Sequence, residues 1–111
     1  MMMEEVRARL LAMKAKADRT LQLLGPERLS AAAKEETERL ARELKEELRS
    51  EYKRLTPERV QRTFTTAESA FYFPSIHEAW VAISSLRVDG TAKKAWYNDL
   101  EETSYKLGKH L

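Results

Sequence analysis

From Val6 to Leu24 the apolar residues Val6, Leu10, Met13, Ala17, Leu21 and Leu24 recur at steps of four, three, four, four and three. That spacing returns to one side of an α-helix, whereas a half-buried strand would alternate every second residue. The pattern resumes after each Gly or Pro along the chain, and no stretch alternates, so the sequence predicts an all-α fold.

The breaks divide the pattern into about five helices. Gly25-Pro26 closes the first, predicted from Met3 to Leu24, because Gly suits the position past a helix end and Pro suits the first turn of the next helix. The second starts at Pro26 or at Ser30 as cap and runs to Leu55, with Leu29, Ala33, Thr37, Leu40, Leu44, Leu48, Tyr52 and Leu55 on one stripe. So tight a turn predicts a long antiparallel hairpin over 3–55. At 1.5 Å per residue the second helix is roughly 40 Å long. That exceeds a domain whose radius of gyration should be about 13 Å. Either the C-terminal half folds back along it or a second copy covers it. Most of its remaining surface is charged, with Glu35 placed for Arg39 and Glu38 for Arg42.

Residues 56–111 are predicted to add three shorter helices. Thr56-Pro57-Glu58 has the cap, first-turn Pro and first-turn acid of a helix start, and Val60, Phe64, Ala67 and Phe71 form its stripe. Pro74 should end that helix near Tyr72 or Phe73. Ser75-Ile76-His77-Glu78 then matches a capping box for a fourth helix carrying Ile76, Ala79, Trp80, Ile83 and Leu86. Asp89-Gly90 forms the next turn, and Thr91 is placed to cap a fifth helix carrying Ala92, Trp96, Leu100, Thr103, Leu107 and Leu111.

Of nine aromatic residues, only Tyr52 precedes residue 56. The first half therefore reads as a Leu/Ala hairpin and the second as an aromatic cluster, which should form the dominant core because rings bury the most apolar area per side chain. Three rings depart from a one-sided core. Tyr105 lies nearly opposite the Trp96 stripe beside Lys94 and Asn98, Tyr97 flanks that stripe, and Phe73 is off the third helix's seam. Exposed aromatics in company suggest a contact surface.

At 111 residues the chain has the length of one domain, 1–111. Its 42% hydrophobic and 34% charged content fits a charge-laced folded chain rather than a disordered one. With no cysteine, no signal-peptide pattern at Met1-Met2-Met3-Glu4-Glu5 and no apolar run of membrane length, a cytoplasmic protein without membrane contact is expected. One Asn (Asn98) and two Gln (Gln22, Gln61) beside abundant Glu, Lys and Arg match the composition of thermophilic proteins.

The sequence points away from catalysis. His77-Glu78 lacks the second His four residues on that a zinc-protease helix needs, and Pro74 and Leu107 stand where a Glu-x-x-His pair would place its Glu. Glycine occurs at 25, 90 and 108 alone, which leaves no phosphate-cradling loop. Ser69, Ser84 and Ser85 have no base at motif spacing. The reading is a chain with no cofactor, no metal and no evident small-molecule substrate: a non-enzymatic interaction or assembly module for a protein partner or a second copy of itself.

Basic residues suggest an alternative. Arg59 and Arg62 stand beside Thr63, Thr65 and Thr66 at one predicted helix start, and Lys93 and Lys94 beside Trp96 and Tyr97 at another. Cations near hydroxyls and rings suit nucleic-acid phosphates and bases, although a net charge of +2 carries no argument of its own. The candidate interaction surface is Arg59, Arg62, Lys93, Lys94, Tyr97 and Tyr105.

Overall fold

The computed structural model describes residues 5–88 and 90–111, which form four helices: α1 (Glu5–Leu24), α2 (Ala31–Val60), α3 (Ala67–Ser84) and α4 (Trp96–Gly108). The fold is all-α, with four helices in place of the expected five. Met3, the expected start of the first helix, and Asp89 of the expected turn lie outside the described residues.

The difference lies at two prolines. Pro57 and Pro74 both sit inside helices, α2 and α3. An interior proline forfeits one backbone hydrogen bond and leaves the carbonyl four residues earlier without its donor. Here both rings are exposed, and so are Lys53 and Ala70 four residues before them, so the freed carbonyls fall on the solvent side. Beside Pro57, the Thr56 hydroxyl donates to the Tyr52 carbonyl at 2.6 Å instead of capping a new helix.

The actual break falls at residues 61–66. Arg62 adopts φ 59°, and Thr63 N donates to Glu58 O at 3.0 Å while Arg62 N donates to Arg59 O at 2.9 Å. This is the left-handed termination usually given to Gly, here made with arginine. Thr66 then caps α3, accepting from Ser69 N at 3.0 Å.

The other expected caps divide. Ser30, one of the two expected starts, caps α2 through Ala33 N at 3.0 Å, and Pro26 lies outside the helix. Ser75, expected to open a helix, lies buried within α3 with no hydrogen-bond partner for its hydroxyl. Thr91 is exposed ahead of α4, whose cap position is Ala95.

The helices alternate in direction around a closed circuit. Antiparallel α1 and α2 are marked by Arg9 beside Glu51, Lys16 beside Glu43 and Glu47, and Arg19 beside Glu36. α3 returns along α2, so that His77 stacks on Tyr52 while Lys45 reaches Leu86. α4 returns along α3, bringing His110 to Phe71 and Lys109 to Glu78. It also lies along α1, where Ser104 donates to Asp18 and accepts from Lys14 at 3.3 Å. Gly108 leaves room for this link, since a Cβ there would lie 2.5 Å from Lys14 Cε. α1 and α3 meet across the middle, whereas α2 and α4 have no contact among the described residues.

The bundle measures 47 × 24 × 17 Å with a radius of gyration of 14.6 Å. Its long dimension is that of α2, 30 residues at 1.5 Å, or roughly 45 Å. The C-terminal half thus folds back along α2, one of the two expected ways to cover it.

The core runs through all four helices. Leu10, Leu24, Leu44, Leu48, Leu55, Ile76, Ile83, Leu100 and Leu107 are fully buried. The expected stripes of α1, of α2 up to Leu55 and of α4 hold in large part. The stripe expected from Val60 to Phe71 does not: Val60 and Phe71 are 72% and 56% exposed, and Phe73, read as off the seam, is buried at 4%. Breaking the chain at 61–66 resets the helical phase, and α3 buries Tyr72, Phe73, Ile76, Ala79 and Ile83 instead.

At the lower end, buried Glu68 of α3 fastens the start of α1, accepting from Val6 N at 3.1 Å and Arg7 N at 3.2 Å. A carboxylate suits the positive end of a helix, where the amide donors of the first turn point outward.

Candidate functional site

α2 carries two charged flanks on either side of its buried stripe. One, toward α1, holds Glu36, Glu43, Glu47 and Glu51, and α1 answers with Arg9, Lys16 and Arg19. Lys16 is held above the ordinary lysine value, chiefly by its hydrogen bond to Glu47. Glu43 is held below the ordinary carboxylate value, first by Lys16 and then by Arg39. Every cation that α1 turns toward α2 meets an acid.

The other flank faces α3 and carries Arg42, Lys45, Arg49, Tyr52, Thr56 and Arg59, at steps of three, four, three, four and three. Across it α3 and its C-terminal extension present Phe73, His77, Trp80, Ser84 and Arg87 at the same period. α3's two acids are engaged elsewhere, Glu68 at the start of α1 and Glu78 at 3.9 Å from Lys109. Among the described residues the cations of this flank therefore meet no acid of α3, but rings, carbonyls and acids of their own helix.

Two of them serve the end of α3. Lys45 donates to Leu86 O at 2.6 Å, and Arg42 donates to Val88 O at 2.9 Å and to Glu38 at 3.0 Å. Both carbonyls lie just past the cap of α3, where a cation also suits the helix's negative end. Arg59 stands over the Phe73 ring at 5.8 Å. Arg49 approaches Glu46 of its own helix at 4.0 Å, and Arg87 is exposed.

Between the cations lies a bank of near-parallel rings. Tyr52 stacks on His77 at 5.5 Å and 16°, on Phe73 at 6.1 Å and 19°, and on Trp80 at 6.2 Å and 22°. Phe73 and His77 are 6.0 Å apart and 5° from parallel. Phe73 is buried, while Tyr52, His77 and Trp80 are half-buried. Near the upper end of this seam a shallow concavity is lined by Arg42, Lys45, Glu46, Arg49, Trp80, Arg87 and Val88. Four cations and one acid surround a tryptophan there, whereas the concavity at Lys93 and Lys94 has the same charge balance without an aromatic ring.

The residues expected to form one surface from sequence are dispersed. Arg59 and Arg62 close α2 at the lower end of the bundle, where helices were expected to start. Lys93 and Lys94 stand at the upper end, in the turn before α4, beside Glu27, Arg28 and Lys34. Tyr97 is half-buried against the core, and Tyr105, 62% exposed, points away from it under Lys106. Of these six, Arg59 alone touches the ring bank. The expected Glu38–Arg42 pair forms, and Arg39 joins Glu43 rather than Glu35.

One further cluster invites a chemical reading. Ser104 lies between Asp18 and Lys14, and Lys14 donates to both, to Asp18 at 2.9 Å and to the serine at 3.3 Å. An ammonium donating twice offers no lone pair to a nucleophile, so the trio acts as a cross-link between α1 and α4. Burial pushes Asp18 up, but the bonds from Ser104 and Lys14 outweigh it and leave the carboxyl below its ordinary value. Among the described residues no group of three His, Asp or Glu is placed to hold a metal ion. No helix there is long and apolar enough to cross a membrane.

The fold and this seam define a four-helix up-and-down bundle with one neutralised and one cationic flank on its longest helix. Compared with known protein families, curated proteins and solved structures, the chain matches none.

Proposed function

We propose that the chain is a non-enzymatic binding module whose working surface is the α2–α3 seam and whose partner carries negative charge. The observation behind this reading is the asymmetry of α2: each acid of one flank meets a cation of α1, and among the described residues no acid of α3 meets the basic flank. Of the four cations around Trp80, Lys45 and Arg42 hold carbonyls past the end of α3, which leaves Arg49 and Arg87 without such a structural role among the described residues. Fixed cations beside a partly open ring bank attract an anionic partner and steer its approach.

The test is retention on immobilised heparin. Arg49→Glu/Arg87→Glu should elute at markedly lower salt than the wild type. Arg39→Glu/Arg54→Glu makes the same change in net charge away from the seam and should shift elution much less. Equal shifts would refute the seam as the surface.

A second reading, self-association, is favoured by the outward face of α3. Phe71 and Val81 are each 56% exposed, and Ala70 and Pro74 beside them are exposed too. A face so apolar on a monomer is a common mark of a protein contact. Sedimentation velocity should then show a concentration-dependent dimer that Val81→Glu abolishes, and a monomer at all concentrations would end this reading.

A further inference from the structure

We propose that the seam takes single-stranded nucleic acid, with a base stacked on Trp80 and phosphates lying against Arg49 and Arg87. This rests on the seam being the binding surface and adds the class of ligand.

Three features of the seam select it. Trp80 joins the bank of near-parallel rings through Tyr52 alone, at 6.2 Å and 22°, so it stands at the end of the stack, half-buried and inside the cationic concavity. A flat π-surface at the end of a stack accepts one more ring, and every nucleobase offers one irrespective of sequence. Among the described residues Arg49 and Arg87 hold no backbone carbonyl, and they line the concavity from α2 and from beyond the end of α3, so a backbone passing over the tryptophan meets a cation from each element.

The lining also argues against an acidic amphipathic helix. Such a partner needs a row of apolar pockets for its residues at i, i+3, i+4 and i+7. The concavity offers Trp80 and Val88 among four cations and a glutamate. A duplex keeps its bases stacked inside and would leave the tryptophan unused.

The experiment is fluorescence anisotropy of a labelled, short mixed-sequence single-stranded oligonucleotide titrated with the full chain at several salt concentrations. The same titration is run with a duplex, with an abasic strand of equal length and with an acidic helical peptide. The single strand should bind most tightly, with an affinity that falls steeply as salt rises. Arg49→Glu/Arg87→Glu should flatten the salt dependence, because each lost phosphate contact removes about 0.7 from the slope of log affinity against log salt. Trp80→Leu should weaken the single strand roughly 5- to 150-fold, the range for one base–aromatic stack, and leave the abasic strand unaffected. Trp80→Phe should retain most of the affinity, and it carries the test if the leucine variant fails to unfold cooperatively.

Equal affinity for abasic and intact strands would overturn base stacking while leaving the seam as an anion surface. Binding of the peptide alone would overturn the nucleic-acid class. No binding of any of these probes at low salt would overturn both this inference and the reading it rests on.

Discussion

The two flanks of α2 belong to one helix, have similar lengths and carry similar numbers of charges, yet they are built on different principles. Toward α1 each charge has an opposite charge within reach, as at Arg19 and Glu36, 3.3 Å apart. Toward α3, among the described residues, the cations meet no acid of that helix and rest on a ring face, on carbonyls just past its end and on Glu38 and Glu46 of α2 itself. Pairing across the first flank sets which helices lie together and leaves little field outside the molecule. The second flank keeps a net positive field, because among the described residues its four cations pair with only two acids, Glu38 and Glu46 of α2, and otherwise meet rings and carbonyls that carry partial charges. Close packing and a functional surface are thus separated on one element by which neighbour each flank meets.

The contrast is most exposed to failure at the two tryptophans. Trp96, 8% exposed in the core, should cost about 3–5 kcal/mol on truncation to alanine. Half-buried Trp80→Ala should cost well under that in chemical denaturation. If the two costs were equal, the α3 seam would be core and the distinction would collapse.

Charge reversal gives a smaller effect with opposite readouts on the two flanks. Glu47→Lys sets a second cation against Lys16 and should lower stability by about 1 kcal/mol. Arg49→Glu should leave stability within about 0.5 kcal/mol and affect binding instead. A stability loss at Arg49 as large as at Glu47 would mean that both seams are structural.

A third expectation concerns pH. Glu43 is held below its ordinary 4.5, first by Lys16, so the stability its ionisation contributes is full above that value and is lost as pH falls through the folded-state one. Lys16 is held above its ordinary 10.5, first by Glu47, so its contribution is full below 10.5 and is lost as pH rises past the folded-state value. The destabilisation caused by Lys16→Met, which keeps the apolar stem, should therefore be greatest near neutrality and shrink below pH 4.5. Thermal unfolding of both proteins across this range measures it. A pH-independent difference would show that the α1 flank is held by packing alone.

Much of the fold was legible because most stripes are long and unbroken. Val6 to Leu24, Thr37 to Leu55 and Trp96 to Leu107 each hold the helical period for three or more turns, and α1 does end before Gly25-Pro26, although no described glycine takes a positive φ and α2 starts only at Ala31. What failed was the meaning of two prolines. Thr56-Pro57-Glu58 and Ser75 to Glu78 satisfy the pattern of a helix start, and local sequence does not reveal that both rings face solvent, where an interior proline costs least.

That misreading also hid the seam. The run Arg42, Lys45, Arg49, Tyr52, Thr56, Arg59 crosses into the predicted third helix, and Phe73, His77, Trp80, Ser84, Arg87 straddles Pro74. Neither reads as one face while the helices are cut. The signal that would have moved the boundary is Thr66-Ala67-Glu68-Ser69, whose first residue is a good cap, while the left-handed turn at Arg62 leaves no Gly to mark it. Pairing α2 with α3 is a tertiary fact, so the division of its charges into answered and unanswered flanks could not come from sequence.

The closed circuit of helices with α2 and α4 apart makes the molecule thermodynamically divisible. Any influence of α4 on α2 must pass through α1 or α3, and substitutions that share no partner add without coupling. A double-mutant cycle between Arg49 on α2 and Tyr105 on α4 should therefore close to within about 0.5 kcal/mol. The seam is insulated from whatever α4 carries on its outer side, so either surface could be altered by mutation while the other stays as it is.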